Sequence, residues 1–499
     1  MAPLGEGRDF FYVERHCSYG IFKSNRRNLL YISIHREFQF FVLDIALNAT
    51  IIAIVNRRFQ MNARKLISIV KQIVIVTAVL VTVGLHPASA GQKVLQSFTG
   101  SNGEFPFSGL TPDNAGNFYG TTEYGCSSGL GCVYEISPVS GGGWTETVIY
   151  NFDGGVDLDE MPLGGVIFDK AGNLYGTAFG IGVGDVYELS PAKGGGWSEQ
   201  VIYGFQGFNG DADGPRGNLI FDGAGNLFGT TQNGGSCTRQ DGCGAVYELS
   251  PNSNGQWTET VVYSFQNNGQ DGMWPISGLI SDAEGNFYGT TFYGGNGNCR
   301  GGGISGCGTV FELSSQSGGG WTEKVLYSFQ RNGSDGVGPA SALTFDQAGD
   351  LLSTTETGGT GVCPVVAGCG TVFELSLQAN GQWNESIVHD FGLSAGDGID
   401  PEASLTMDSR GKLYGTTGHG GTGNCKIKPY HGCGTVFSLS AQSGGGWSEK
   451  VIDSFPDRAT EPHYPNSPVV FDPMGNIYGT TALGGSTNVG AIFELTTLD

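Results

Sequence analysis

Positive charge is scarce in this 499-residue chain: 25 Lys and Arg stand against 47 Asp and Glu. The imbalance sharpens past residue 90. Residues 1–90 hold 11 of the basic and 5 of the acidic residues, leaving 14 and 42, a net of −28. Such acidity argues against nucleic acid and anionic membrane as partners. Histidine is scarce too, with four past residue 90: His389, His419, His431 and His463. No Ser-His-Asp set is supported by spacing, although a non-repeated constellation assembled from distant segments stays open. One apolar run approaches membrane-spanning length, over residues 66–85, and Lys71 interrupts it.

That run follows Met61-Asn-Ala-Arg-Lys and ends near Ala88-Ser89-Ala90. A basic start, an apolar middle and an Ala-x-Ala terminus describe a secretory signal peptide over 61–90, cleaved before Gly91. Met61 is then the initiator, and residues 1–60 a mis-assigned upstream extension. The rival reading is a membrane anchor with a basic head. No Cys stands at the cleavage point, which argues against a lipid anchor there. A cleaved leader leaves no stable membrane anchor, and the mature chain is 91–499.

Glycine, at 86 residues, is abundant and sits in a repeated phrase. The phrase D-N-A-G-N-F-Y-G-T-T at 113–122 recurs at 169–178, 222–231, 282–291, 346–355, 408–417 and 472–481. Its marker glycines, Gly116, Gly172, Gly225, Gly285, Gly349, Gly411 and Gly475, lie 53–64 residues apart, a period of blades or arrays. Each period carries four short strand signals, such as 277–282, 287–291, 309–314 and 321–329, bounded by turn residues. In D-x-x-G-N the Asp can bond the backbone ahead while the Gly turns left-handed.

Seven such units make an all-β, seven-bladed propeller of four-stranded antiparallel blades the expected fold. The last repeat stops after its third strand at 491–499, and K-V-L-Q-S-F at 93–98 matches the fourth-strand sequence K-V-L-Y-S-F at 324–329. Pairing the two closes the ring and removes exposed edges. An open array is the alternative.

Ten cysteines form five local pairs: Cys126/Cys132, Cys237/Cys243, Cys299/Cys307, Cys363/Cys369 and Cys425/Cys433. Each lies between the second and third strands of a blade. In an exported chain they read as disulfides stapling long loops. The zinc alternative has C-x5-C and C-x7-C spacing and no second pair or His beside it.

In a propeller the strand-four-to-one connections share a face with those loops, and here they are acidic. One rim would carry Asp157, Asp159, Asp211, Asp213, Asp271, Asp335, Asp397 and Asp400. Clustered carboxylates suit a hard cation such as Ca²⁺; equally, Asp-Gly makes a turn and Pro starts the next strand. Six Trp (144, 197, 257, 321, 383 and 447) open the fourth strands and read as packing. Trp274 lies in an acidic loop and is the candidate ligand contact.

Together, D-x-x-G-N-L-Y-G-T-T, G-T-V-F-E-L and V-L-Y-S-F closely resemble the GloVer (Gloeobacter–Verrucomicrobia) tandem repeat of secreted or surface bacterial proteins. The resemblance spans about 93–499. Blade five departs from it, with Asp350 and Ser353 where the others mostly have Asn and Gly. The resemblance implies export, and often a sorting or anchoring tail, of which none follows the last blade here. It transfers no catalytic residues. The expected function is an extracellular binding module presenting a loop-rich acidic face to glycan or protein. Alternatives are a propeller hydrolase, lactonase or lyase with its site at the central mouth, and a matrix component that self-associates.

Overall fold

A computed structural model describes residues 91–496, apart from 154–160, 181–182, 208–209, 238, 240, 267, 302–303, 364–367, 427–429 and 459. The expected leader, the extension before it, Asp157 and Asp159 lie outside the described residues. Within them the chain is all β, with seven blades of four antiparallel strands arranged as a propeller. No helix among them is long and apolar enough to cross a membrane.

Blade four shows how the repeat folds. Its strands are Ile280–Ser281, Phe287–Thr291, Thr309–Ser315 and Trp321–Ser328, paired in that order. The second strand is buried throughout, so its aromatic and β-branched residues need no alternation. The fourth alternates half-buried and exposed residues along its first half, as expected of an outer strand. The turn between the first two is closed by Asp282, whose Oδ1 accepts the Glu284 and Asn286 amides at 3.0 and 2.8 Å. Asn286 Nδ2 and the Tyr288 hydroxyl donate to its Oδ2 at 2.8 and 3.0 Å. Gly285 takes the left-handed conformation at φ 85°.

The first strand is shorter than the sequence suggests, because the chain before Ile280 serves the neighbouring blade. Ser277 gives its carbonyl to Thr230 Oγ1 of blade three at 2.7 Å. The same Thr position bonds forward to the next blade from Thr121, Thr290, Thr354, Thr416 and Thr480. Between blades lie apolar clusters that draw on both neighbours, such as Tyr288, Val310 and Phe329 against Leu351 and Phe373. The fourth-strand Trp caps this packing: Trp321 lies 5.6 Å from the Phe228 ring of the preceding blade and 5.5 Å from Phe287.

Closure follows the expected route. Gly91–Ser97 pairs antiparallel with Ala491–Thr496, from Gly91 opposite Thr496 to Ser97 opposite Ala491. The last blade is thereby completed by the first strand. Blade five's departures have local consequences. Ser353 replaces a glycine and donates to the Ala342 carbonyl at 3.0 Å. Asp350 removes the Asn donor, and Asp346, Asp350 and Glu374 each bring a carboxylate oxygen within 4.8 Å of the others.

The expectation that every cysteine pair lies between the second and third strands fails at Cys132. That residue is itself the first of blade one's third strand, Cys132–Pro138, and stands opposite Thr122 in the ladder. The reason is a reversed order of two residues. Blades three to six read Cys-Gly before the strand, whereas blade one reads Gly131-Cys132, so Cys132 takes the strand position held by Ala245 or Thr309 elsewhere. Its disulfide with Cys126 forms as expected, and Cys132 is fully buried, as is the later cysteine of each other pair.

Candidate functional site

The site grows from the residue that precedes the opening proline in six of the seven blades. Phe105, Gly214, Trp274, Gly338, Asp400 and Tyr464 all hold φ between 53° and 69° there. Of the six non-glycine residues at positive φ among the described residues, four occupy this one position. A side chain in that conformation costs about 1–2 kcal/mol. Glycine at 214 and 338 avoids the cost, so strain is concentrated where Phe, Trp, Asp and Tyr stand.

The preceding blade holds this residue in place. The amides of Trp274, Gly338, Asp400 and Tyr464 donate at 2.9 Å to the carbonyls of Cys243, Cys307, Cys369 and Cys433. Each acceptor is a half-cystine, since the five expected pairs are all bonded. Cys132, displaced into its strand, takes no part in such an anchor. The glycine after each of the four anchoring cysteines lets the next proline approach: a Cβ on Gly308 would collide with Pro339 Cδ. The second-strand end of the blade that the proline opens completes the anchor, as where Gly418 N donates to Asp400 O at 3.0 Å. In blades three to six the disulfide loops therefore set the backbone that presents these side chains.

Residues flanking this position meet across the ring. Arg216, at the opening of blade three, feels both Glu123 of blade one and Glu402 of blade six. Blades so far apart share an electrostatic contact only near the axis, at the central mouth of the disulfide-bearing face. Burial pushes the Glu402 carboxyl up to about 8, reinforced by Asp400 and Glu356. Protein surrounds that carboxyl although part of the residue stays open to solvent. Burial raises Glu356 to about 7, with Asp400 adding to it, and raises Glu123 as well. Burial lowers Arg216, and the two Glu partly offset this. Its Nη1 donates to Gln232 at 2.7 Å, and its guanidinium lies 5.8 Å from the Phe179 ring centre.

Asp400 and His419 form a buried pair, Oδ2 to Nδ1 at 3.1 Å, with 5 % and 4 % of their side chains exposed. The His419 ring packs 4.9 Å from Tyr430 and 4.8 Å from Tyr464. Trp274 is half-buried with its ring 5.3 Å from Tyr293, and its indole N–H is buried without a partner. The mouth thus combines aromatic faces, several carboxyls and one guanidinium.

The repeat itself is diagnostic. A family model described as the Gloeobacter/Verrucomicrobia repeat matches residues 81–301 and 296–499. The chain belongs to the Gloeobacter/Verrucomicrobia repeat family. No curated protein matches the sequence. Among solved structures, a fungal alcohol oxidase of the AA5 family, in complex with copper, is 14 % identical over 82 % of this chain and 76 % of its own, with a TM-score of 0.46. The extracellular domain of a two component system from B. thetaiotaomicron is 11 % identical over 81 % of this chain, with a TM-score of 0.47. This Gloeobacter/Verrucomicrobia repeat protein spans 39 % of that chain's length. A polysaccharide lyase of family PL25, an ulvan lyase, is 11 % identical over 66 % of this chain and 91 % of its own, with a TM-score of 0.37. Likenesses at these scores carry no functional argument.

In this repeat protein the acidic residues singled out by sequence fall into separate places. Asp271 Oδ2 accepts the Tyr263 hydroxyl at 2.9 Å and the Gln266 amide at 2.8 Å, and its Oδ1 accepts Gly272 N at 2.7 Å. Asp211 and Asp335 clamp their own loops in the same way, and Asp397 takes the Leu393 and Gly398 amides with His389 beside it. Burial, then Asp211 and Asp241, raise Asp213 to about 6. Of the set's described residues, Asp400 is the one that joins the mouth. Sequence reasoning passed over Glu123, Arg216, Glu356, Glu402, Tyr464 and the Asp400–His419 pair. Their signal was available: they flank the opening proline or follow T-T, positions that vary from blade to blade inside an otherwise repeated phrase.

Proposed function

We propose that this protein is an extracytoplasmic binding module that holds a neutral glycan at the central mouth of its disulfide-bearing face. Repeat family, propeller fold and five disulfides fit an extracellular repeat protein. The observation that carries the glycan reading is the strained position before the opening proline, where in four blades a bulky or charged side chain replaces the glycine that the backbone favours. Aromatic faces such as Trp274 and Tyr464 suit the apolar faces of sugar rings, and the carboxyls of Glu356, Asp400 and Glu402 suit hydroxyl donors. Four carboxyls against one guanidinium disfavour sulfated or uronate-rich chains.

The test is a glycan array probed with the exported protein, once in Ca²⁺ and once in EDTA, beside its Trp274→Ala and Tyr464→Ala variants. Binding to neutral oligosaccharides that falls at least tenfold in both variants is expected. Retention that ignores both substitutions, or an array with no bound glycan, would sink the reading. Cleavage of a bound oligosaccharide would replace it with the enzyme alternative.

A further inference from the structure

We infer that the mouth holds a hard divalent cation, Ca²⁺ by its chemistry, between Glu356, Asp400 and Glu402. Each residue supplies a carboxylate oxygen, and the three lie within 4.8 Å of one another. Ca²⁺ bonds oxygen at roughly 2.4 Å, so opposed ligands sit about 4.8 Å apart across the ion. The three oxygens are close enough together to share one ion, and they come from two elements: Glu356 follows the second strand of blade five, while Asp400 and Glu402 flank the proline that opens blade six.

The second observation is an acceptor left without a donor. Asp400 is 4 % exposed, and its Oδ2 is taken by His419. Its Oδ1 is buried and has no hydrogen-bond partner. A buried carboxylate oxygen left unpaired is costly, which calls for a positive group. Asn466, close enough to Glu402 to influence it, adds a second such atom, since its Oδ1 is likewise buried and unpartnered. Among the described residues no cation of the chain fills this place. Arg216 influences Glu402 from a distance but forms no ion pair among the described residues, and its Nη1 is committed to Gln232.

Donor type selects the ion. An all-oxygen carboxylate set suits Ca²⁺ over Zn²⁺. Mg²⁺ demands shorter, octahedral contacts and retains its waters. His419 turns Nδ1 to Asp400 and so orients a ligand, the usual place of an outer-shell group. The site stands without a glycan. Where the glycan reading also holds, coordination positions left open by the chain can accept sugar hydroxyls.

The experiment is calorimetric titration of the EDTA-stripped exported protein with CaCl₂ alone, paralleled by Tb³⁺ luminescence sensitised through the neighbouring Tyr and Trp rings. One site is expected. Glu356→Gln and Asp400→Asn should each weaken it at least tenfold, with Asn chosen at 400 because it tolerates positive φ. Asp346→Asn, in the separate blade-five acidic group, should leave it unchanged. Circular dichroism checks each fold, and Glu402→Gln replaces either variant that fails to fold. No binding, binding indifferent to the mouth variants, or binding lost in Asp346→Asn would each overturn the site. Glycan binding that persists in EDTA would leave the glycan reading intact while Ca²⁺ titration decides the cation.

Discussion

Raising the pH from 5 to 8 should loosen the joints between outer strands, because acidic groups there face each other across neighbouring blades. At the joint of blades three and four, Asp271 belongs to the loop after one fourth strand and Glu323 to the next fourth strand. Burial raises the Glu323 carboxyl from 4.5 to about 8, and the Asp271 charge adds to it. The Tyr263 hydroxyl donates to Asp271 at 2.9 Å, and Glu323 Oε1 is left buried without a partner. Burial together with Asp335 raises Glu385 to about 7, and burial with Asp211 raises Glu259 to about 7.

Folded pKa values above the unfolded one mean that the native state binds more protons. The stabilisation is fully present below pH 4.5 and is lost as pH rises through 7 to 8. The full rise at Glu323 corresponds to roughly 5 kcal/mol, and screening by the solvent that reaches it reduces this to on the order of 2 kcal/mol. Glu259 and Glu385 should contribute about 1 kcal/mol each on the same footing. For a domain of some 400 residues each kcal/mol moves Tm by about 1 °C, so the fall from pH 5 to 8 should be about 4 °C. Scanning calorimetry in EDTA-containing buffers measures it. Glu323→Gln, which keeps a donor and cannot ionise, should remove about half of the slope. A Tm that is flat or rises between pH 5 and 8, or a slope unchanged by Glu323→Gln, would refute the reasoning.

Deleting residues 91–97 removes the strand that completes the last blade, and should lower Tm and produce edge-mediated association visible by light scattering. Gly308→Ala should cost about 2–4 kcal/mol in denaturant unfolding, because its Cβ would collide with Pro339 at a φ of 101°. Replacing Cys299 and Cys307 by Ser should cost about 2 kcal/mol. It should also loosen the mouth, since the Cys307 carbonyl anchors Gly338, and amide exchange at Gly338 reports that.

The sequence alone determined whatever is settled within a few residues or by repetition. The D-x-x-G-N turn was legible because Asp282 bonds amides two and four residues ahead. The disulfides were legible because partners stand six or eight residues apart. The burial of Cys132 inside a strand was less so, because a one-residue exchange with Gly131 leaves the spacing to Cys126 unremarkable. Closure was legible because the end strands carry complementary parts of one repeat. The tertiary structure alone decided the mouth. Glu123, Arg216, Glu356 and Glu402 come from blades one, three, five and six, and no local spacing relates them. They meet only because seven blades close around one axis. The acidic loops make the complementary point: Asp271 and Asp400 both stand next to an opening proline or turn, yet one is bound by its own loop and the other faces Glu356 and Glu402. Strand propensity and turn chemistry act along the chain, whereas burial and the meeting of like charges depend on what the ring brings together.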